Sequence, residues 1–154
     1  MDTYLIAYLI LLIAPVSTVI HELGHIIGAK LVKADSVTLS IGSGKSVCKF
    51  NIKRLHIRLH ALYFIGGIAY SERSIPYKTG EIIWITLCGP VFNGIFAMLV
   101  SVLFDLTNGF YQLLVLFNCW LAIVNIIPFR LKEKQSDGYT IIQTISKRKI
   151  KNKQ

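Results

Sequence analysis

The sequence predicts an α-helical integral membrane protein: three membrane-spanning helices, with a small membrane-associated antiparallel β-sheet between the first and the second. Three observations carry that expectation. The 154 residues are 53% hydrophobic and only 16% charged, with a mean hydropathy of +0.55, which is too apolar for a soluble domain of this size. Three apolar runs are long enough to cross a hydrocarbon core of about 30 Å. All 17 Lys and Arg residues fall on one side of those runs. At this length residues 1–154 form a single membrane-embedded domain, with no room for a second folded unit.

The first span is the run Tyr4 to Ile20, continued as a helix to about Val32 by His21 to Leu31. Pro15 interrupts its hydrogen-bond ladder and is expected to kink it. Met1-Asp2-Thr3 lacks the basic flank of a secretory signal and no small-residue cleavage site follows, so the first span is expected to persist in the mature protein. Ser36 to Tyr70 has a different texture. Val37 to Ile41, Val47 to Ile52 and Leu55 to Ala61 alternate apolar and polar residues, the period of half-buried strands. Glu81 to Phe104 is the second span and Phe110 to Phe129 the third; the short polar turn Asp105 to Gly109 makes them antiparallel neighbours.

Charge sets the orientation. Nine Lys or Arg residues lie between Lys30 and Lys78, and eight between Arg130 and Lys153, whereas the other side carries only Asp2 and Asp105. The positive-inside rule then puts the amino terminus and the 105–109 turn outside, with the 33–80 region and the carboxyl terminus in the cytoplasm. Topology thus accounts for the net charge of +9, and no nucleic-acid partner is implied. The basic tail Lys147 to Lys153 can also meet anionic headgroups of the bilayer.

His21-Glu22-Leu23-Gly24-His25 is an HExxH motif fused to the first apolar run. Positions i and i+4 share a helix face, so the two imidazoles can hold one Zn²⁺ while Glu22 serves as general base toward the metal-bound water. In a soluble chain this pattern is often a surface accident. Inside an apolar span each charged side chain costs about 2.5 kcal/mol or more, which favours a functional reading. Other motifs fail. Gly42-Ser43-Gly44-Lys45-Ser46 has Leu39 where a phosphate-binding loop needs its first glycine, and reads as a hairpin turn. His56 and His60 share a strand face with Arg58, which disfavours a second cation site. Cys48, Cys88 and Cys119 are odd in number and scattered, and imply neither a disulfide framework nor a metal site.

A zinc catalyst needs a third protein ligand and an open fourth position. Downstream, Asn125-Ile126-Ile127-Pro128 ends the third span, and Ser136-Asp137-Gly138 follows. HExxH in a first membrane helix, Gly89-Pro90-Val91-Phe92-Asn93 (GPxxN) in a later one, and NxxP followed by DG resemble the site-2 protease family of intramembrane zinc metalloproteases (M50-like), small sporulation-type members included. That resemblance implies a bacterial cell membrane, zinc held by His21, His25 and Asp137, and Glu22 as catalytic base. It also implies a membrane-associated hairpin ending in a Gly-Gly loop, here Gly66 and Gly67. Two features depart from the family's usual pattern: eight residues rather than four separate Pro128 from Asp137, and no proline precedes the Gly-Gly pair.

Ser-Asp-Gly is also common turn chemistry, so a plain turn residue is the competing reading of Asp137. Asn125, next to the ligands, reads as a substrate or oxyanion group; Asn93 reads equally as a substrate group or as a hydrogen bond between helices. The expected partner is another membrane protein, cut in or near its transmembrane segment. The rival is a catalytically silent zinc-binding membrane module with a regulatory or assembly role, whose hallmark would be loss of Glu22. Oligomeric state is not legible in the sequence.

Overall fold

A computed structural model describes residues 3–131 and 134–151. The first helical run is α1 (Thr3–Tyr8), a π-helical segment Leu9–Ile13, and α2 (Ala14–Leu31). The widened π segment stands immediately before Pro15, where the ladder must lose a donor. The Leu11 carbonyl, four residues before Pro15, accepts instead from the Tyr63 hydroxyl at 3.2 Å. Helices α3 (Thr79–Leu103) and α4 (Gly109–Ile126) follow, and α5 (Asp137–Lys151) closes the chain. Among the described residues three helical runs are long and apolar enough to cross a membrane: Tyr4–Leu31, Thr79–Leu103 and Gly109–Ile126.

Their ends follow local chemistry. Asn108 caps α4, its side chain accepting from the Phe110 amide at 3.0 Å. That helix stops at Ile126, short of the Phe129 expected, because Ile127 precedes Pro128 and takes an extended conformation (ψ 126°). Small residues bring α2 and α3 close: a Cβ on Gly24 would fall on the Cys88 carbonyl, and one on Gly28 on the Cys88 sulfur. Ile13, Val100 and Leu114 form a buried cluster where the first, second and third helical runs meet.

Between α2 and α3 lie two long strands, β1 (Ser36–Ile52) and β2 (Leu55–Glu72), paired antiparallel. The expected three separate strands give way to one long hairpin. Its turn is at Lys53 and Arg54, with Lys53 at φ +52°. The Gly42–Ser46 segment, expected as the turn, lies inside β1, where Gly42 (φ +83°) and Gly44 (φ +88°) break the register and bend the strand. The hairpin thereby doubles back on itself. Val37 to Ile41 pairs with Gly67 to Ser71 on one side, and lies beside Leu55 to Leu59 on the other in a register that ascends in both. One face of this sheet packs on α2, through Ile26, Ala29, Val37 and Leu39.

The return from β2 to α3 is braced by charge. Arg73 donates to the Val32 carbonyl (2.7 Å) and to the Glu81 carboxylate (2.7 and 3.1 Å), and lies 4.3 Å from the Tyr77 ring centroid. The bonds to the Glu81 carboxylate raise the pKa of the Arg73 guanidinium. Asp35 accepts from both the amide and the hydroxyl of Ser74, at 2.7 and 2.9 Å, and the amide bond first of all holds its carboxyl below the usual range.

Candidate metal centre

Helix α2 delivers His21 and His25 to one face, as the i, i+4 spacing requires, with ring centroids 4.8 Å apart. What the rings face is set by α3. A Cβ on Gly89 would fall on both imidazoles, so the glycine of GPxxN is the hollow in which they sit. The same helix fixes their tautomers. His21 Nδ1 lies 2.7 Å from Asn93 Oδ1, and His25 Nδ1 lies 2.9 Å from the Ile85 carbonyl. Both partners are acceptors when the Asn93 amide nitrogen faces Asn118, so both Nδ1 atoms carry the proton and both Nε2 atoms present lone pairs.

Those lone pairs converge with Asp137. His21 Nε2 and His25 Nε2 are 3.2 Å apart, and Asp137 Oδ2 and Oδ1 lie 3.1 Å from His21 Nε2 and 3.5 Å from His25 Nε2. With the protons on Nδ1, no donor stands between these atoms, and Asp137 Oδ2 is a buried acceptor without a hydrogen-bond partner. Acceptors packed in this way repel one another unless a further proton or a metal cation sits among them. Their separations match the edge of about 3.3 Å of a tetrahedron with metal–ligand bonds near 2.0–2.1 Å. The donor set, two imidazoles and a carboxylate, fits zinc. Among the described residues no other group of three His, Cys, Asp or Glu side chains could hold a metal; His56 Nδ1 is engaged with Asn51 (2.8 Å) and His60 Nδ1 with the Ile41 carbonyl (3.1 Å).

The long spacer before Asp137 is a small closed hairpin. Strands β3 (Arg130–Leu131) and β4 (Lys134–Gln135) pair antiparallel, and the Ser136 amide donates to the Phe129 carbonyl at 3.0 Å, shutting the base. The nearly buried Ser136 hydroxyl accepts from the Phe129 and Tyr139 amides (3.0 and 3.2 Å) and donates to the Ile127 carbonyl (2.7 Å). Ser136 is therefore the N-cap of α5. Gly138 allows the approach, since a Cβ there would fall on the Ile126 carbonyl. The turn reading of the Ser-Asp-Gly segment gives way to a helix start aimed at the histidines.

Around this cluster opens a cavity of about 640 Å³, whose lining includes Glu22, Gly66, Gly67, Asn125 and Lys134. Glu22 is 8% exposed. A Cβ on Gly67 would crowd the Thr18 and Glu22 side chains at 3.0 and 3.1 Å, so any larger residue would shift them by a few tenths of an ångström, and Gly66 has φ +70°. Asn125 spends an amide hydrogen on the Leu121 carbonyl (2.9 Å) and borders the cavity.

Asn93 is a correction. It does not line the cavity; it is fully buried behind His21, with Nδ2 donating to the Ser17 carbonyl (3.0 Å) and to Asn118 Oδ1 (2.7 Å). Of its two readings, the hydrogen bond between helices is the one the fold uses. Asn118, which sequence reasoning did not single out, completes the chain by donating to Ser17 Oγ and the Leu114 carbonyl, each at 2.8 Å. Its signal was available: Asn118 is a polar residue in an apolar run, seven positions before Asn125.

A family model described as Peptidase family M50 matches residues 7–110. The chain belongs to peptidase family M50, the site-2 protease family. The matched segment holds His21, Glu22, His25 and Asn93 but stops before Asn125 and Asp137, so the convergence of Asp137 on the histidines is an observation independent of that match. A Borreliella burgdorferi protein named "Putative zinc metalloprotease" is 28% identical over 151 residues, covering 86% of this chain and 34% of that protein. The chain thus spans about a third of the length of this relative.

Proposed function

We propose that this M50 peptidase is an intramembrane zinc metalloendopeptidase, holding one Zn²⁺ on His21, His25 and Asp137 and cutting a membrane protein in or near its transmembrane segment. The observation that carries the reading is the meeting of three acceptor groups with no donor between them, beside a buried glutamate. When bound, zinc lowers the pKa of a coordinated water toward about 7 and polarises the scissile carbonyl. Glu22 is the base that takes the water's proton and returns it to the leaving amine. Asn93 and the Ile85 carbonyl hold the imidazoles with Nε2 toward the site.

Substrate is received from the sheet side. Gly67 to Tyr70 pairs with β1 along one edge while bordering the cavity, so its other edge is the natural partner for an unwound substrate segment, added as a strand. Gly66 and Gly67 keep that entrance free of side chains, and Asn125 can donate its amide to the substrate backbone or to the developing oxyanion. The three apolar helical runs cross the bilayer with the basic segments in the cytoplasm; outward residues such as Val102 (78% exposed) and Leu103 (69%) then face lipid.

The test is Glu22→Gln, which keeps size and hydrogen bonding but is no base at neutral pH. The reconstituted wild-type protein should cleave members of a panel of single-span membrane proteins, and a zinc chelator should stop it. Glu22→Gln should keep about one zinc per chain and lose cleavage by about a hundredfold or more. Cleavage by this variant at the wild-type rate would remove Glu22 from the mechanism.

A further inference from the structure

A second cavity, of about 450 Å³, lies where the doubled-back hairpin meets the end of α2, and it is lined by Lys30, Lys53 and Arg54 above Ala34, Val37, Ile52 and Leu55. The fold-back creates it. The hairpin turn is drawn to the start of its own first strand by a bond from the Val37 amide to the Arg54 carbonyl (2.9 Å), and its two cations line the same cavity as Lys30 in the last turn of α2. No carboxylate lines the cavity. Two acids stand next to the lining: Asp35, bonded to the neutral Ser74 and also within the field of Arg54, and Glu72, which accepts from the Ser36 hydroxyl at 3.3 Å. The three cations of the lining outnumber these two acids, which leaves the cavity with an excess of positive charge that favours an anion. Exposed apolar residues accompany the cations: Ile52, in the lining, is 62% exposed, and Leu31, next to Lys30 in the chain, 65%. Cations beside exposed apolar residues match an amphiphile rather than a free ion or a soluble polyanion.

We propose that this cavity binds the phosphate of an anionic phospholipid of the cytoplasmic leaflet, with Lys30, Lys53 and Arg54 around the phosphate and the acyl chains running along Leu31 and Ile52. The proposal rests on the membrane orientation given above and is independent of peptide hydrolysis. The lipid would pin the hairpin turn to the end of the helix carrying His21 and His25.

The probe is spin-labelled phosphatidylglycerol in phosphatidylcholine nanodiscs containing the full chain, with the motionally restricted fraction read by electron spin resonance. Each cation near the surface is worth about fivefold in affinity, so Arg54→Gln alone should weaken retention about fivefold, and Lys30→Gln/Lys53→Gln/Arg54→Gln about a hundredfold. The matched triple Lys45→Gln/Lys78→Gln/Lys147→Gln should retain the lipid nearly as well as wild type. Equal loss in both triples would reduce the effect to diffuse surface charge and overturn the site, as would unchanged retention in the cavity triple. Displacement of the lipid by low-millimolar inorganic phosphate would make this a site for a free anion and overturn the assignment to lipid. Zinc content in every variant checks that the fold is kept.

Discussion

At residue scale, the chemistry of the centre is set one layer behind the ligands. Ser17, Asn93 and Asn118 are each fully buried, and the bonds among them give Asn93 a single orientation with Oδ1 toward His21. Asn118→Leu removes one of the two acceptors that set this orientation and leaves Asn93 Nδ2 with the Ser17 carbonyl alone. Zinc affinity, measured by chelator competition, should fall about tenfold, with about 1–3 kcal/mol of lost stability; unchanged affinity would show that His21 is oriented without the network. Gly89 makes the opposite kind of test. Alanine is the better helix former by about 1 kcal/mol, so Gly89→Ala should leave helicity by circular dichroism intact while its Cβ displaces both imidazoles. Bound zinc by metal analysis should drop at least about tenfold, and full zinc with full helicity would mean that the rings do not occupy this hollow.

At the scale of elements, the spacer between Pro128 and Asp137 shows how a departure in sequence need not be one in geometry. Phe129 and Ser136 are already joined at the base of the β3–β4 hairpin, so the residues between them set the hairpin's length and not the position of Asp137. Excising Leu131 to Lys134 leaves Phe129-Arg130-Gln135-Ser136, in which the existing bond from the Ser136 amide to the Phe129 carbonyl becomes that of a four-residue β-turn. The shortened chain then has the spacing usual in the family. It should bind zinc within about threefold of wild type, whereas Ser136→Ala, which loses the α5 cap worth about 1 kcal/mol and the tie to Ile127, should bind more weakly. Loss of zinc in the excised chain with retention in Ser136→Ala would reverse this account.

For the whole molecule, what could be read in advance was what is local. An i, i+4 motif, an apolar run and a charge imbalance are properties of neighbouring residues, and His21, Glu22, His25 and the three long helices were legible for that reason. The doubling-back of the β1–β2 hairpin was not, because alternation marks a strand without stating its partner, and Gly42 and Gly44 serve a bend as readily as a turn. Asn93 was ambiguous for a related reason: a polar residue in an apolar run states that it has a partner, not which one. Orientation is the remaining global property. With nine cations in Lys30–Lys78, eight in Arg130–Lys153 and none in the 105–109 turn, a reporter fused after Gln154 should read cytoplasmic and one inserted at Asn108 external. Because His25 lies only five residues before Lys30 on the same helix, about 7.5 Å along its axis, that orientation also puts the metal centre near the cytoplasmic face. The reverse reporter pattern would move the centre to the outer face, and with it both the expected side of substrate cleavage and the leaflet that supplies the lipid.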